Sequence, residues 1–262
     1  MSTVQEFDAI EFFTLWDDAR LGMLPAPFYF STDIESEAEF EAETARARER
    51  LACRTGPPLD QFLTALARPD IGIVLTGWDS ADPMRAGGLV RVLGVRRGAA
   101  GYVIEQRPGR TFFHSGGFTV TGCDAVRLAE VVAGALPAER AGSLPETPLP
   151  AGVEADVDYS FGRSAVHDSF DDPPEERARH FLNLPTTRTG TIEIVQGRSV
   201  FGPRGLTRHL LEWRDVLGDG RYLVDDRTPP VAVGTGPEQL TALINTRIAA
   251  VVRAIKDEPV PR

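Results

Sequence analysis

The sequence predicts an α+β fold, with a central antiparallel sheet flanked by helices and divided into two quasi-symmetric halves. Residues 200–255 have the pattern of three strands joined by tight turns and followed by one long helix. Residues 90–136 repeat this order, and a proline-rich stretch separates the two occurrences. We expect a single domain over residues 1–262, made of an N-terminal half 1–136, a linker 137–152 and a C-terminal half 153–262.

The second occurrence is the clearer one. Strands are predicted at residues 209–213, 221–225 and 231–233, and Gly218-Asp219-Gly220 supplies the positive φ that a hairpin turn requires. A helix follows, with Thr235 as its expected N-cap and Pro237 in its first turn. Its apolar residues recur at steps of three and four, which indicates one buried stripe: Leu240, Leu243, Ile244, Ile248, Val251, Val252 and Ile255.

The first occurrence has the same order of elements. Strands are predicted at residues 90–95, 102–105 and 111–113, with extended chain at 118–120 and a helix over 124–136. Both helices follow an extended run and a glycine-containing turn, and both have an acidic residue at their start. A duplication of one ancestral half is therefore one interpretation, and chance similarity of two β-meanders is the other.

The remaining elements are assigned from periodicity and turn residues. We predict helices at 4–21, 34–54, 58–67 and 175–182, an extended arm at 26–30, strands at 71–78 and 189–195, and an irregular loop at 79–88. The helix at 34–54 carries acidic residues first and basic residues last, in the order that the helix dipole favours. Its charges therefore indicate a solvated face and not a binding patch.

Composition limits the function. Of 262 residues, 42% are hydrophobic and 25% are charged, which is typical of a globular protein, and the net charge of -10 argues against a general nucleic-acid binder. Cys53 and Cys123 are far apart and lack neighbouring histidines, so two reduced thiols are expected. No basic-then-apolar leader and no membrane-length apolar run is present, and we expect a cytoplasmic protein without membrane insertion.

Motifs for catalysis, cofactor binding or metal binding are not found. The four histidines are isolated from one another, and His167-Asp168-Ser169 cannot form a triad because adjacent residues do not converge. Gly234-Thr235-Gly236 lacks the third glycine of a dinucleotide fingerprint, and Lys256, the only lysine, is not in a phosphate loop. We therefore expect no catalytic residue, no cofactor and no metal. This expectation favours a binding protein over an enzyme.

A binding protein uses exposed aromatic and methionine side chains as anchors. Trp78 ends the strand at 71–78, Asp79 and Met84 belong to the loop after it, and Phe170 and Phe181 lie around the Pro173-Pro174 loop. These five are the candidate partner-binding residues. The alternative for the aromatic residues among them is an ordinary place in the core.

Three short motifs, in this order and spacing, resemble the EspG family of type VII (ESX) secretion-associated proteins of actinobacteria. They are residues 13–16 (FTLW) followed by 21–25 (LGMLP), residues 68–70 (RPD) before the first predicted strand, and residues 218–224 (GDGRYLV) at the last hairpin. The resemblance covers nearly the whole chain.

The resemblance implies two α+β halves around a central sheet and a cytosolic chaperone without enzymatic activity. Its partner would be a PE–PPE heterodimer, bound at the apolar helical tip of the PPE protein, or another helical hairpin of the WXG100 kind. By this resemblance, residues 78–88 and 168–184 correspond to the segments that contact the cargo. The alternatives are a small-molecule enzyme that uses His114 or His209 between the halves, and a protein that self-associates through sheet edges as a weak homodimer.

Overall fold

A ten-stranded antiparallel sheet forms the centre of the protein. The computed structural model describes residues 3–54, 57–150 and 174–259. The strands are β1 Thr3–Phe7, β2 Ile71–Asp79, β3 Val90–Arg97, β4 Ala100–Pro108, β5 Ser115–Asp124, β6 Thr147–Pro148, β7 Thr186–Gln196, β8 Arg208–Val216, β9 Gly220–Val224 and β10 Val231–Gly234. The helices are α1 Ala9–Asp18, α2 Glu37–Ala52, α3 Pro57–Ala67, α4 Leu128–Gly134, α5 Pro174–Leu182 and α6 Pro237–Asp257.

The order of the strands is symmetric about the centre of the sheet. It runs β1-β5-β4-β3-β2-β7-β8-β9-β10-β6, so each strand of the first half has a counterpart at the same distance from the centre in the second half. The central pair is β2 with β7, aligned from Ile71 opposite Gln196 to Asp79 opposite Arg188. This arrangement confirms the predicted fold class, a central antiparallel sheet with flanking helices in two quasi-symmetric halves.

One face of the sheet is covered by α4 and α6, the helices that end the two repeated patterns. Side chains alternate between the faces of a strand, so Ile73, Leu75 and Ile192 all point to this face. They pack against Leu128 of α4 and Ile244 of α6 in one apolar cluster that spans both halves. The predicted apolar stripe of α6 therefore lies on the sheet, as its spacing indicates.

The opposite face has separate coverings over the two halves. Over the first half, α1, α2 and α3 form an aromatic core in which the Phe12 ring stacks on Phe118 with centroids 4.0 Å apart. Over the second half, α5 packs Phe181 against Tyr222 of β9. This face is not covered completely. Trp78 of β2 is half-buried, and Leu210 of β8 is 49% exposed.

The N-terminal prediction was wrong in one respect. Residues 4–7 belong to β1, which pairs with β5, and the helix begins only at Ala9. Asp8 is the N-cap, and its carboxylate accepts a hydrogen bond from the Glu11 backbone N–H at 2.6 Å while Glu11 accepts from the Asp8 N–H at 3.1 Å. This capping box ends the extended chain and starts the helix.

Two further expectations were wrong. Residues 111–113 form a turn and not a strand, and the third strand of that pattern, β5, begins at Ser115. The N-cap of α6 is Gly236 and not Thr235, whose hydroxyl is buried and donates to the carbonyl of Val233 at 2.8 Å. Phe112 and Phe113 contact the Tyr29 ring instead of extending a strand. The Thr235 hydroxyl bonds to a strand carbonyl instead of capping the helix.

The proline-rich segment after α4 is held on the second half over its described part, residues 137–150. Gly142 N–H donates to the Arg221 carbonyl at 2.9 Å, and Leu144 N–H donates to the Tyr222 hydroxyl at 2.8 Å. Residues 147–148 then form β6 at the border of the sheet. Its role as a boundary between the halves stays a prediction.

The two border strands of the sheet differ in length. β6 has only two residues, and the second of them is Pro148. β1 has five residues, and the carbonyl groups of Glu6 and Phe7 accept hydrogen bonds from the guanidinium groups of Arg54 at 2.6 Å and Arg107 at 3.3 Å.

Candidate functional site

The loop between β2 and β3, residues 80–89, is shaped by one carboxylate. Asp79 Oδ1 accepts hydrogen bonds from the backbone N–H of Ala81 at 2.8 Å and of Asp82 at 3.2 Å. Its other oxygen binds the guanidinium of Arg85. These bonds join both sides of the loop to the last residue of β2 and so order the loop.

The same contacts keep Asp79 ionised. The backbone N–H of Ala81 is the main cause that lowers the pKa of Asp79, and Asp82 N–H and Arg85 add to it, although burial acts in the opposite direction. The carboxylate is therefore charged at neutral and mildly acidic pH, where it can hold the loop.

Met84 stands at the tip of this loop with 55% of its surface exposed. Its backbone N–H donates to the Asp82 carboxylate at 3.1 Å, and Arg85 N–H donates to the Asp82 carbonyl at 3.0 Å. A second acid thus fixes the turn that carries the thioether. The result is an apolar, adaptable side chain on a rigid support.

The loop is also joined to the second half of the protein. Ser80 N–H donates to the Thr187 carbonyl at 3.1 Å, and the hydroxyl groups of Thr186 and Ser80 are 2.8 Å apart. Trp78, just before the loop, is opposite Thr189 and is half-buried. Trp78, Asp79 and Met84 are therefore brought together at one end of the sheet, as their sequence proximity requires.

The other two candidates have different outcomes. Phe181 is 1% exposed and packs edge-to-face on Tyr222, with the centroids 5.2 Å apart, so its ring belongs to the core. Its neighbour Leu182 is the exposed apolar residue at the end of α5. Phe170 lies outside the described residues. The assignment of Trp78, Asp79 and Met84 to partner binding stays a prediction.

An aromatic cluster near the same end of the sheet was missed by the sequence analysis. Arg91 of β3 is 7% exposed, and its guanidinium lies between the rings of Tyr29 and Phe112, at 4.5 and 4.4 Å from the centroids. Phe113 contacts both rings and is half-exposed. Burial lowers the pKa of Arg91, and its Nη2 has no hydrogen-bond partner within the described ranges. The cluster adds exposed aromatic surface beside the loop.

The histidines considered for catalysis do not converge on a reactive group. His114 Nδ1 is 2.6 Å from the Thr111 hydroxyl, and His209 Nδ1 is 2.6 Å from Asp226. Burial tends to raise the pKa of Asp226, but the hydrogen bond from His209 and the charge of Arg247 outweigh it and lower that pKa. These are local polar contacts at separate places, and the part of the chain described contains no group of three residues suited to hold a metal ion.

One cavity of about 420 Å³ lies within the first half, between α3 and the turn from β3 to β4. Phe62, Tyr102 and Cys123 are among its lining residues. Burial raises the pKa of the Cys123 thiol, which keeps it protonated and a poor nucleophile. This cavity is lined by the first half alone, a larger concavity described below is lined by both halves, and neither lining includes His114 or His209. Across residues 3–54, 57–150 and 174–259, no helix is long and apolar enough to cross a membrane.

Comparison with known families decides the affiliation. A sequence model of the EspG family matches residues 8–252, from the N-cap of α1 into the last turns of α6. The chain belongs to the EspG family. The match includes both halves of the sheet and the loop that carries Met84.

The sequence of this EspG-family chain has low identity to that of a solved structure that matches it. The structure of the Mycobacterium tuberculosis type VII secretion system chaperone EspG5, in complex with a PE25–PPE41 dimer, matches 99% of this chain and 98% of its own, at 10% identity and a TM-score of 0.49. No curated protein matches this EspG-family sequence in a sequence search.

Proposed function

We propose that this protein is a cytoplasmic type VII secretion chaperone that binds the apolar helical tip of a secreted PPE or WXG100-like cargo and keeps it soluble. Membership of the EspG family over residues 8–252 is the observation that carries the proposal. The surface described above supports it, because the loop exposes Met84 and the same end of the sheet carries the half-buried Trp78 and the exposed rings of Tyr29 and Phe113.

The physical basis is reversible capping of apolar surface. Each Å² of apolar surface removed from water stabilises the complex by about 25 cal/mol, and the costs of association are subtracted from this sum. A loop that is already ordered by Asp79 and Asp82 loses little further entropy on binding. The flexible thioether of Met84 adapts to helical tips of different sequence.

In this proposal the protein carries out no reaction. His114 and His209 contact Thr111 and Asp226 at separate places, and the family assignment favours a non-enzyme. Release of the cargo then depends on competition by a downstream component, because binding energy alone gives a reversible complex.

Capture of cargo by purified protein tests the proposal. The chain, tagged and returned to its source cell, is expected to recover a PE–PPE pair or a WXG100-like hairpin after gentle lysis. The recovered cargo is then produced and its affinity is measured with Met84→Glu and with Met23→Glu as the matched control. Met23 is also exposed but lies in the segment between α1 and α2.

Met84→Glu is expected to weaken the affinity at least tenfold, since a charge is placed in a desolvated contact, whereas Met23→Glu leaves it unchanged. Recovery of no helical-hairpin protein, or equal affinities for the two variants, would count against the proposed chaperone role of this surface.

A further inference from the structure

A second concave surface lies at the end of the sheet opposite to Met84. It has a volume of about 1190 Å³ and is formed where α3 and α6 end, at the turn between β3 and β4 and the loop between β7 and β8. Arg68, Arg97 and Arg198 line it together with Val200 and Ile255. Both halves of the molecule contribute to its walls.

The arginines of this surface are not neutralised. Arg97 donates from Nη1 to the carbonyl of Arg68 at 2.6 Å, which fixes its position without using a carboxylate. Among the described residues, none of Arg68, Arg97 and Arg198 forms an ion pair with an acid, and all three are exposed. Their charges therefore face the solvent in one concavity.

The two acids in the same wall are already occupied. Asp70 Oδ2 accepts a hydrogen bond from Gly98 N–H at 2.6 Å. Glu258 accepts from the Gln196 side chain at 2.6 Å and from Val200 N–H at 3.0 Å, and its hydrogen bonds, first that from Ser199, lower its pKa. Neither carboxylate forms an ion pair with an arginine of this surface, so the lining presents three guanidinium groups against two carboxylates.

An apolar anchor stands beside the basic residues. Phe201 is 67% exposed in the loop between β7 and β8, and Val200 next to it is half-exposed. The Phe201 N–H donates to the Ser199 hydroxyl at 3.2 Å, and Gly202 N–H donates to the Ser199 carbonyl at 3.1 Å. The ring is thus held in solvent by an ordered turn, much as Met84 is at the opposite end.

The two ends are related by the symmetry of the sheet. The loop after β7 occupies in the second half the place that the loop after β2 occupies in the first. Because β2 and β7 are antiparallel, these loops leave the sheet in opposite directions, and the nine residues of β2 place them about 30 Å apart. One loop is shaped by acids and carries methionine; the other is bordered by arginines and carries phenylalanine.

We propose that this basic concavity binds a short acidic segment of a second protein, with an apolar side chain of that segment packed on Phe201. The arginine charges select the acidic segment. A long polyanion is disfavoured because the whole chain carries a net charge of -10. The site is separate from the surface around Met84, so it can be occupied while cargo is bound, and it stands whether or not the chaperone role is correct.

Fluorescence anisotropy with the full chain tests this proposal. The probe is a labelled peptide with glutamates on both sides of a leucine–phenylalanine pair, and the control peptide has glutamine at each glutamate. Binding of the acidic peptide alone is expected, and raising the salt from about 0.05 M to about 0.3 M should weaken it because exposed charges are screened. Equal binding of the glutamine peptide would overturn the proposal.

Matched arginine variants locate the site. Arg68→Gln combined with Arg198→Gln is expected to lower peptide affinity about tenfold. Arg46→Gln combined with Arg127→Gln removes the same charge from exposed pairs on α2 and beside α4 and should change affinity by less than about twofold. Equal losses in the two double variants would show a general charge effect and reject the site.

Two further measurements separate the alternatives. Phe201→Ala should weaken binding of the acidic peptide, and Met84→Glu should leave it unchanged. The two variants therefore distinguish an error in the proposed peptide site from an error in the proposed cargo surface. Tighter binding of single-stranded DNA than of the acidic peptide would assign the surface to nucleic acid and contradict the proposal.

Discussion

Arg221 and Asp215 form a buried two-bonded ion pair across β8 and β9. The Nε–Oδ1 and Nη2–Oδ2 distances are 2.7 and 2.9 Å, and Arg221 Nη2 also donates to the Pro137 carbonyl at 2.9 Å. The guanidinium lies 5.1 Å from the centre of the Trp213 ring. One arginine therefore joins two strands and the segment that follows α4.

Removal of one partner should be strongly destabilising. Asp215→Ala leaves an uncompensated charge in the core and is expected to lower the free energy of unfolding by about 3–5 kcal/mol. Asp18→Ala, which breaks the exposed pair with Arg48, should cost at most about 1 kcal/mol. Urea unfolding measures both, and similar values for the two variants would contradict the buried role of Asp215.

Stability should decrease in alkaline solution because of Tyr222. Burial and the hydrogen bond to Asp219 raise the pKa of Tyr222 to about 12. An unfolded tyrosine has a pKa of about 10, so between pH about 10 and about 12 the unfolded chain loses a proton that the folded chain retains. This contribution to stability is fully present below pH about 10 and is lost as the pH rises through that window.

Urea midpoints at pH 8 and at about pH 10.5 test the role of Tyr222. Tyr222→Phe should show a smaller decrease between the two pH values than the unchanged protein does. The comparison is needed because burial also raises the pKa of Tyr102. An identical decrease in both proteins would show that Tyr222 is not responsible.

Gly77 is required by close packing at the central strand pair. A Cβ at this position would lie 2.4 Å from Trp213 Cζ2, and Trp213 cannot easily move because its Nε1 donates to the Thr76 carbonyl at 3.0 Å. Gly77→Ala is expected to destabilise the fold by about 1–3 kcal/mol. Gly87→Ala, where a Cβ meets nothing within 4 Å, should stay within about 0.5 kcal/mol in the same unfolding assay.

The shape of the loop at Met84 should depend on Asp79. Asp79→Ala removes the acceptor for Ala81 and Asp82 and is expected to weaken cargo affinity about three- to tenfold by increasing the entropy lost on binding. Asp79→Asn retains a side-chain oxygen for these N–H groups and should recover part of the loss. Isothermal titration calorimetry with the captured cargo measures these affinities. An unchanged affinity of Asp79→Ala would show that the order of the loop does not contribute to cargo binding.

Much of the fold could be predicted where a local signal decides the structure. The turn at Gly218-Asp219-Gly220 and the apolar spacing of α6 each specify an element without help from the rest of the chain, and both predictions were confirmed. β1 was missed although Asp8 and Glu11 have the spacing of a capping box. The apolar residues on both sides of Asp8, such as Phe7 and Ile10, also fit one helical stripe, so spacing alone does not separate the strand from the helix.

The candidate site could be predicted only in part. Trp78, Asp79 and Met84 are neighbours in the sequence, so their proximity needs no tertiary information. The cluster around Arg91 joins Tyr29 and Phe112 from distant parts of the chain, and the two phenylalanines after residue 111 resemble a strand by propensity alone. The sequence around Phe181 likewise does not show whether its ring lies in the core or on the surface.

The unequal borders of the sheet limit how copies of this chain can join. Growth of one sheet onto another needs a row of free N–H and C=O groups along an outer strand. Pro148 lacks the N–H on one side, and on the other side the Arg54 guanidinium engages the outward carbonyl of Glu6. Ribbon-like polymerisation in a concentrated solution is therefore expected to be weak at both borders of the sheet.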